Sequence, residues 1–284
     1  MSRKLTPVQR MEQMLLTDYR KAIWRPFMRA IRAYALLSPG DRVAVCVSGG
    51  KDSMLLAKLM QMLARHSETP FEAVTLVMDP GYRPDIRRQV EASARRLGLS
   101  YTLFESDVVE VAAAQDANPC FLCARMRRGC LYKQARALGC NKIALGHHFD
   151  DVIETTLMAM LHGGQVQAMP PKLWADNFPG MELIRPMYMV READILAWRD
   201  AFGLDFIQCA CRMTEAAGLD ETASRRQAVK RLIAELSLSD PKVAQNIFNS
   251  IHTVQLDTMV GWKYQGEEHS FLDDYDALRE RERH

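Results

Sequence analysis

Two polar clusters in this 284-residue chain have the make-up of a nucleotide site. The first, Ser48-Gly49-Gly50-Lys51-Asp52-Ser53, combines two glycines that let backbone approach an anion, two hydroxyls and a cation. Where a strand turns into a helix, such a loop aims unpaired N–H groups and the positive dipole end at one point, which is a phosphate cradle. It is not a Walker A loop, whose glycine spacing is absent. The second cluster, Gly146-His147-His148-Phe149-Asp150-Asp151, sets two carboxylates side by side. Next to a triphosphate, Asp150 and Asp151 suit Mg²⁺ and the charge that develops at the α-phosphate. Away from one they suit a helix N-cap and first turn. The two histidines read more readily as packed or hydrogen-bonded groups than as catalytic ones.

The third cluster is thiol-based. Cys120 and Cys123 follow Pro119 at a helix start, near enough to share a metal, and the helix dipole with nearby arginines lowers thiol pKa values. That spacing alone fits zinc, an iron–sulfur cluster or a redox dithiol. Cys209 and Cys211, some ninety residues on, offer a third thiolate. Three thiolates leave one iron of a [4Fe-4S] cluster without a protein ligand, an open site of chemical use. Cys46, Cys130 and Cys140 lie at apolar or helix-packing positions and read as core. Arg127 and Arg128, one helical turn past Cys123, are placed either to reach ATP phosphates or RNA backbone, or to form a solvated face.

These groups need elements to position them. Val43–Val47 is an unbroken apolar run, the pattern of a strand buried on both faces of a parallel sheet. The pattern predicts further strands over 71–78, 101–105 and 142–146, with helices to about Arg65 and over 84–97, 121–138 and 150–162. Alternating strands and helices predict a doubly wound parallel α/β sheet with right-handed crossovers. Ligands of such sheets sit outside the C-terminal strand ends, so the first two clusters should line one crevice. Before the sheet, residues 7–37 read as helical. After it, 163–180 is a Gly- and Pro-rich loop enclosing a short hairpin with Met181–Arg185, and helices return over 191–202, 222–236 and 241–254. The acidic last thirty residues have weak periodicity. The chain thus reads as a helical segment, 1–38, a nucleotide-binding domain, 39–210, and a C-terminal helical region with tail, 211–284.

Composition narrows the class. Hydrophobic residues make up 48% and charged ones 25%, which excludes disordered and low-complexity chains. The formal net charge of +2 announces no polyanionic partner, so any such partner must be met locally. Residues 1–33 are the basic segment, with Arg3, Lys4, Arg10, Arg20, Lys21, Arg25, Arg29 and Arg32 against Glu12 and Asp18. Arg225, Arg226, Lys230 and Arg231 form a second cluster expected to face RNA. An odd cysteine count, with no apolar stretch of membrane-spanning length and a polar N-terminus, reads as a reducing, cytoplasmic setting without membrane attachment.

The clusters also carry a resemblance. SGGKDS resembles the SGGxDS PP-loop of the N-type ATP pyrophosphatases, and GHHFDD resembles the GHxxDD motif of PP-loop enzymes that modify tRNA. PCFLCARMRRG is similar to the PCxxCxRxRRG segment of the tRNA 2-thiocytidine synthase (TtcA) family. Met169-Pro-Pro-Lys-Leu173, Ile184-Arg-Pro186 and Arg191-Glu192 match it in order. The resemblance implies an ATP-dependent tRNA sulfurtransferase that adenylates O2 of an anticodon-loop cytidine, cytidine 32 in the family. Sulfur carried on a [4Fe-4S] cluster then replaces the oxygen, releasing AMP and pyrophosphate. It further implies ATP held at Ser48–Ser53, with adenine at the second strand's end near Val77, Met78 and Asp79 and with Gly146 beneath the nucleotide. By the same resemblance Asp52, Asp150, Asp151 and Arg127 serve catalysis with Mg²⁺, and Cys120, Cys123 and Cys209 hold the cluster. Cys211 stays open as the third ligand, because this chain has CxC where the family has a CxxC-like segment. The implied partners are tRNA, a sulfur donor such as a cysteine desulfurase, and a second copy in a homodimer. Alternatives are a lysidine- or thiouridine-forming relative and a cluster-binding redox sensor on an inactive nucleotide fold. The paired zinc fingers of thiouridine synthases include an N-terminal one that this chain, with no cysteine before Cys46, cannot build.

Overall fold

A computed structural model of the chain describes residues 5–106, 108, 119–207, 221–273 and 275, with only the backbone described for 119–124 and 221–223. Two compact units divide it, Met1–Ala234 and Glu235–His284.

Six strands form the sheet of the first unit: β1 (Arg42–Val47), β2 (Glu72–Asp79), β3 (Thr102–Glu105), β4 (Lys142–Ala144), β5 (Lys172–Trp174) and β6 (Glu182–Ile184). Their order is β3-β2-β1-β4-β6-β5, parallel throughout except for the antiparallel edge strand β5. Along β1 the side chains alternate between two cores. Val43, Val45 and Val47 join one with Leu55, Leu59, Ile184 and Trp198, while Ala44 and Cys46 join the other with Tyr132, Ile143 and Leu183. Burial on both faces is why the run carries no polar alternation.

The helices are α1 (Pro7–Leu16), α2 (Arg25–Ala33), α3 (Lys51–His66), α4 (Pro84–Arg96), α5 (Pro119–Ala137), α6 (Phe149–Gly163), α7 (Glu192–Ala201), α8 (Glu221–Ser239) and α9 (Val243–Ser250). Two findings revise the sequence reading. The segment 7–37 is not one helix: α1 ends at Leu16, and a π-helical turn, Arg20–Trp24, leads into α2. Pro26 has no N–H to give to the preceding turn and its ring crowds that turn's carbonyls, so the backbone takes an extra residue there. The alternation also does not stop at His162, because β6 pairs in parallel with β4 and extends the sheet. The expected hairpin is β5 against β6.

A buried charge network joins β4 and β6. Lys142 Nζ lies 3.0 Å from Asp41 Oδ2 and 2.9 Å from Glu182 Oε2, and donates to the Leu36 carbonyl at 2.9 Å. Burial pulls the ammonium pKa down, but Glu182 and Asp41 outweigh it and hold it above its ordinary value. Of the three cysteines expected in the core, Cys46 and Cys140 are buried, whereas Cys130 is only partly covered, beside Ser106 Oγ. Burial pushes the Cys46 thiol up to about 12, so it is an inert, protonated core group.

The second unit contains α9 and, where the sequence shows little periodicity, an antiparallel hairpin of β7 (Gly261–Tyr264) and β8 (Glu267–Ser270). A cross-strand stack of Trp262 on His269, 5.4 Å between ring centres, braces it.

Candidate active site

The strand order reverses between β1 and β4, and the loops leaving both strands meet at that switch point. A cleft of about 350 Å³ opens there, lined by Ser48, Gly50, Asp52 and Ser53 from one loop and by Gly146, His147 and Asp151 from the other. Met78 from β2 and Arg127 from α5 complete its polar and apolar walls. The structure therefore brings the two polar clusters together, as the sequence pattern requires.

Two glycines make this approach possible. Gly49 has φ +88°, and a Cβ on it would stand 2.6 Å from Ile207 Cδ1. At Gly146 a Cβ would stand 3.0 Å from the Ser53 nitrogen and 3.1 Å from the Asp52 carbonyl carbon, so the β4 loop runs directly against the first turn of α3. Gly50 caps α3 without any side-chain bond, leaving the helix's first N–H groups to a ligand. Ser53, by contrast, is a brace: its hydroxyl accepts from Ser48 N–H at 3.1 Å and donates to the Gly50 carbonyl at 3.0 Å. Ser48 is exposed, its hydroxyl 3.2 Å from that of Ser53.

Lys51 and Asp52 pair at 3.0 Å, and Lys51 also meets Glu192 Oε1 at 3.0 Å. Glu192 in turn binds Lys230 through Oε2. Burial raises the Glu192 carboxyl, but the hydrogen bonds from Lys230 and Lys51 outweigh it and hold it down at about 2. Burial opposes the Lys51 charge as well, yet Asp52 and Glu192 raise its pKa above the ordinary value. The loop lysine is therefore a fixed cation, pre-positioned by a carboxylate on α7.

At the start of α6, His148 is the N-cap. Its Nδ1 accepts from Asp151 N–H at 3.4 Å, while Asp151 Oδ2 accepts from His148 N–H at 3.0 Å. His148 Nε2 lies 3.7 Å from Asp52 Oδ1. His147 Nδ1 accepts from Arg185 Nε at 3.3 Å, and burial, with Arg185 adding to it, holds that imidazole well below its ordinary pKa, neutral. Both histidines are thus hydrogen-bonded groups.

Asp150 is tied to α7: it accepts from Glu192 N–H at 2.6 Å and pairs with Arg191 at 3.0 Å, whose guanidinium lies over the Phe149 ring. Asp151 Oδ1 receives Arg226 at 3.3 Å. Arg226 and Lys230, which charge patterning turned toward RNA, point instead at the site's carboxylates. Of the three residues expected at adenine, Met78 lines the cleft, Val77 is in the core, and Asp79 is spent on Gly81 and Tyr82 N–H groups.

Asp52 lines the cleft, and its Oδ1 is a buried acceptor without a hydrogen-bond partner. Magnesium is commonly held by one or two carboxylates plus substrate phosphates, so Asp52 with Asp151 fits it. Among the described residues no group of three or more His, Cys, Asp or Glu forms a metal cage.

The cysteines expected to bind iron lie at or beyond the edge of the described residues. Pro119 opens α5, which puts Cys120 and Cys123 in its first turn, one turn before the cleft-lining Arg127, but their side chains lie outside the described residues. Cys209 and Cys211 lie outside them altogether. The described backbone reaches Ile207, packed on Gly49 and two residues before Cys209 in sequence. A second cavity, on the Lys51 side, is lined by Gly50–Asp52 and by Leu204–Ile207.

Sequence reasoning missed Glu192 as a partner of Lys51, and Arg226 and Lys230 as site groups. The adjacency of Arg191 and Glu192 at a helix start was the available signal, but their partners lie on three other elements.

The PP-loop domain family matches residues 23–213. A tRNA-cytidine(32) 2-sulfurtransferase of Syntrophotalea carbinolica is 39% identical over 235 residues, 80% of this chain and 86% of that one. One from Vibrio cholerae is 34% identical, covering 86% and 77%. In fold, the chain is similar to the U34-tRNA thiolase NcsA from Methanococcus maripaludis, solved with its [4Fe-4S] cluster: TM-score 0.63, 19% identity, 84% of this chain and 80% of that one. With its loop pair at the switch point, its cysteine spacing and these relatives, the chain belongs to the tRNA-cytidine(32) 2-sulfurtransferase family of PP-loop proteins.

Proposed function

We propose that this protein is an ATP-dependent tRNA thiolase that converts cytidine 32 to 2-thiocytidine. The observation that carries the reading is the meeting of Ser48–Ser53 with Gly146–Asp151 in one cleft, in a chain of this family.

The triphosphate sits against the uncapped N-terminus of α3, with Arg127 in the cleft wall and Lys51, the first residue of that helix, as a fixed cation bordering the adjoining cavity. Attack by cytidine O2 on the α-phosphate expels pyrophosphate and turns a poor leaving oxygen into AMP. Positive charge from Lys51, Arg127 and the helix end stabilises that transfer electrostatically. Asp52 and Asp151 would hold Mg²⁺ against the same phosphates. Cys120, Cys123 and Cys209, with Cys211 as the alternative third ligand, would hold a [4Fe-4S] cluster, which when bound would supply the sulfur nucleophile for C2. Asp150, with both oxygens occupied by α7, keeps the Asp151 turn in place. A cysteine desulfurase suits the role of sulfur donor, and a homodimer in the cytoplasm suits the family. Among the described residues no helix is long and apolar enough to cross a membrane.

Mass spectrometry of tRNA nucleosides from a deletion strain tests the reading. Loss of 2-thiocytidine alone, restored by the wild-type gene, is expected; loss of a thiouridine or of lysidine instead would overturn it. Iron-free, colourless protein with full activity after anaerobic purification would equally exclude the cluster.

A further inference from the structure

Away from the cleft, the π-turn and α2 build an open groove of about 660 Å³ whose rim is Arg20, Arg25, Arg29 and Arg32 and whose apolar lining includes Trp24 and Met28. In a regular helix Arg20 and Arg25 would diverge. The π-turn's bond from Arg25 N–H to the Arg20 carbonyl spans five residues, which widens the turn and sets Arg20 in line with the α2 arginines.

All four guanidinium groups are exposed, and among the described residues none pairs with a carboxylate. Several other arginines of this unit are compensated, Arg42 by Glu72, Arg87 by Glu105, Arg191 by Asp150 and Arg226 by Asp151, whereas these four line one groove with no carboxylate among its lining residues. The two acidic residues nearest in sequence are engaged elsewhere. Glu12 binds Lys58 and Arg65, and Asp18 accepts the Thr17 hydroxyl. The groove is also held against the site's framework. Tyr19 donates to the Ala197 carbonyl of α7 at 3.1 Å, and Arg29 contacts Met189, beside Val190 whose carbonyl accepts from Phe149 N–H at the start of α6.

We infer that this groove is a binding site for the phosphodiester backbone of RNA, with the half-buried Trp24 ring as a platform for a ribose or an unpaired base. Guanidinium forks match phosphate bidentately, and an aromatic face among them is the combination that single-stranded RNA recognition uses. An uncompensated row of four cations favours a polyanion over a neutral or acidic-poor partner. The inference rests on the tRNA reading above and adds where the substrate is gripped.

The test uses the full-length protein and an unmodified tRNA transcript. R25A/R29A removes two phosphate contacts, so the slope of log affinity against log salt becomes less negative by about 1.4 to 1.8. At about 0.15 M salt, tRNA binding weakens at least tenfold. ATP affinity stays at the wild-type value, which also certifies the fold, and R25K/R29K recovers most of the slope. Unchanged tRNA affinity and salt slope in R25A/R29A, with wild-type protein still thiolating the transcript, overturns the groove while leaving the function standing. Wild-type protein that neither binds nor thiolates tRNA overturns the function itself.

Discussion

Replacing Gly146 with alanine adds one methyl group at the point where the two cleft-lining loops touch. That carbon would lie 3.0 Å from Ser53 N, 3.1 Å from the Asp52 carbonyl carbon and 3.2 Å from Ser53 Cα. All three are backbone atoms of the first turn of α3, so no rotamer change relieves the overlap and the turn must move by a few tenths of an ångström. Overpacking of this kind costs about 1–3 kcal/mol, and in a unit of this size each kcal/mol lowers Tm by about 2–4 °C. The same displacement takes the helix's free N–H groups off the phosphates. Loss of one charge-assisted hydrogen bond, about 1.5 kcal/mol, weakens ATP binding about tenfold. Calorimetric titration with ATP and a thermal melt measure both effects. Gly163→Ala is the control, because nothing lies within 4 Å of its added carbon, and it should be neutral or slightly stabilising. ATP binding and melting of Gly146→Ala equal to those of Gly163→Ala would refute this close approach of the two loops.

Three further outcomes are expected. Lys142→Met strands Asp41 and Glu182 as buried carboxylates, so stability falls by about 3–5 kcal/mol, seen as a lowered urea midpoint without loss of slope. Glu192→Gln reshapes acid unfolding: a carboxyl held from 4.5 down to about 2 contributes in full above 4.5 and loses that contribution as pH falls toward 2. The variant's stability should therefore be flatter than wild type across that window, and identical acid limbs would show that the bridge to Lys51 and Lys230 contributes nothing. Cys120→Ala should abolish thiolation of tRNA while ATP affinity stays unchanged; persistent 2-thiocytidine formation would remove Cys120 from the cluster.

Much of this architecture is legible in the chain because its signals are local. Val43–Val47 reads as a doubly buried strand from composition alone, and SGGKDS reads as an anion loop because glycine freedom and helix-end dipoles act within six residues. The hairpin at 172–184 was visible as turn chemistry, but its pairing with β4 was not, since a three-residue strand carries no periodicity that names its neighbour. The π-turn escaped for a related reason: apolar spacing continues through it, and only hydrogen bonding shows the extra residue.

Residue types and spacing alone pointed to the chemistry available here: a phosphate loop, a carboxylate pair and a cysteine set suited to a metal, an iron–sulfur cluster or redox chemistry. They could not assign partners across the molecule. Asp150 and Asp151 are equivalent in sequence, yet one is consumed by Arg191 and the Glu192 N–H while the other faces the cleft. Arg226 and Lys230 look like an RNA-facing cluster and turn inward, whereas the arginines of α2 remain open. Those distinctions depend on distances of a few ångströms between groups up to 179 residues apart in sequence, such as Lys51 and Lys230 sharing Glu192. Coulombic and hydrogen-bond energies fall off over those same few ångströms, so only the folded geometry decides which charge is spent on the fold and which is left for a ligand.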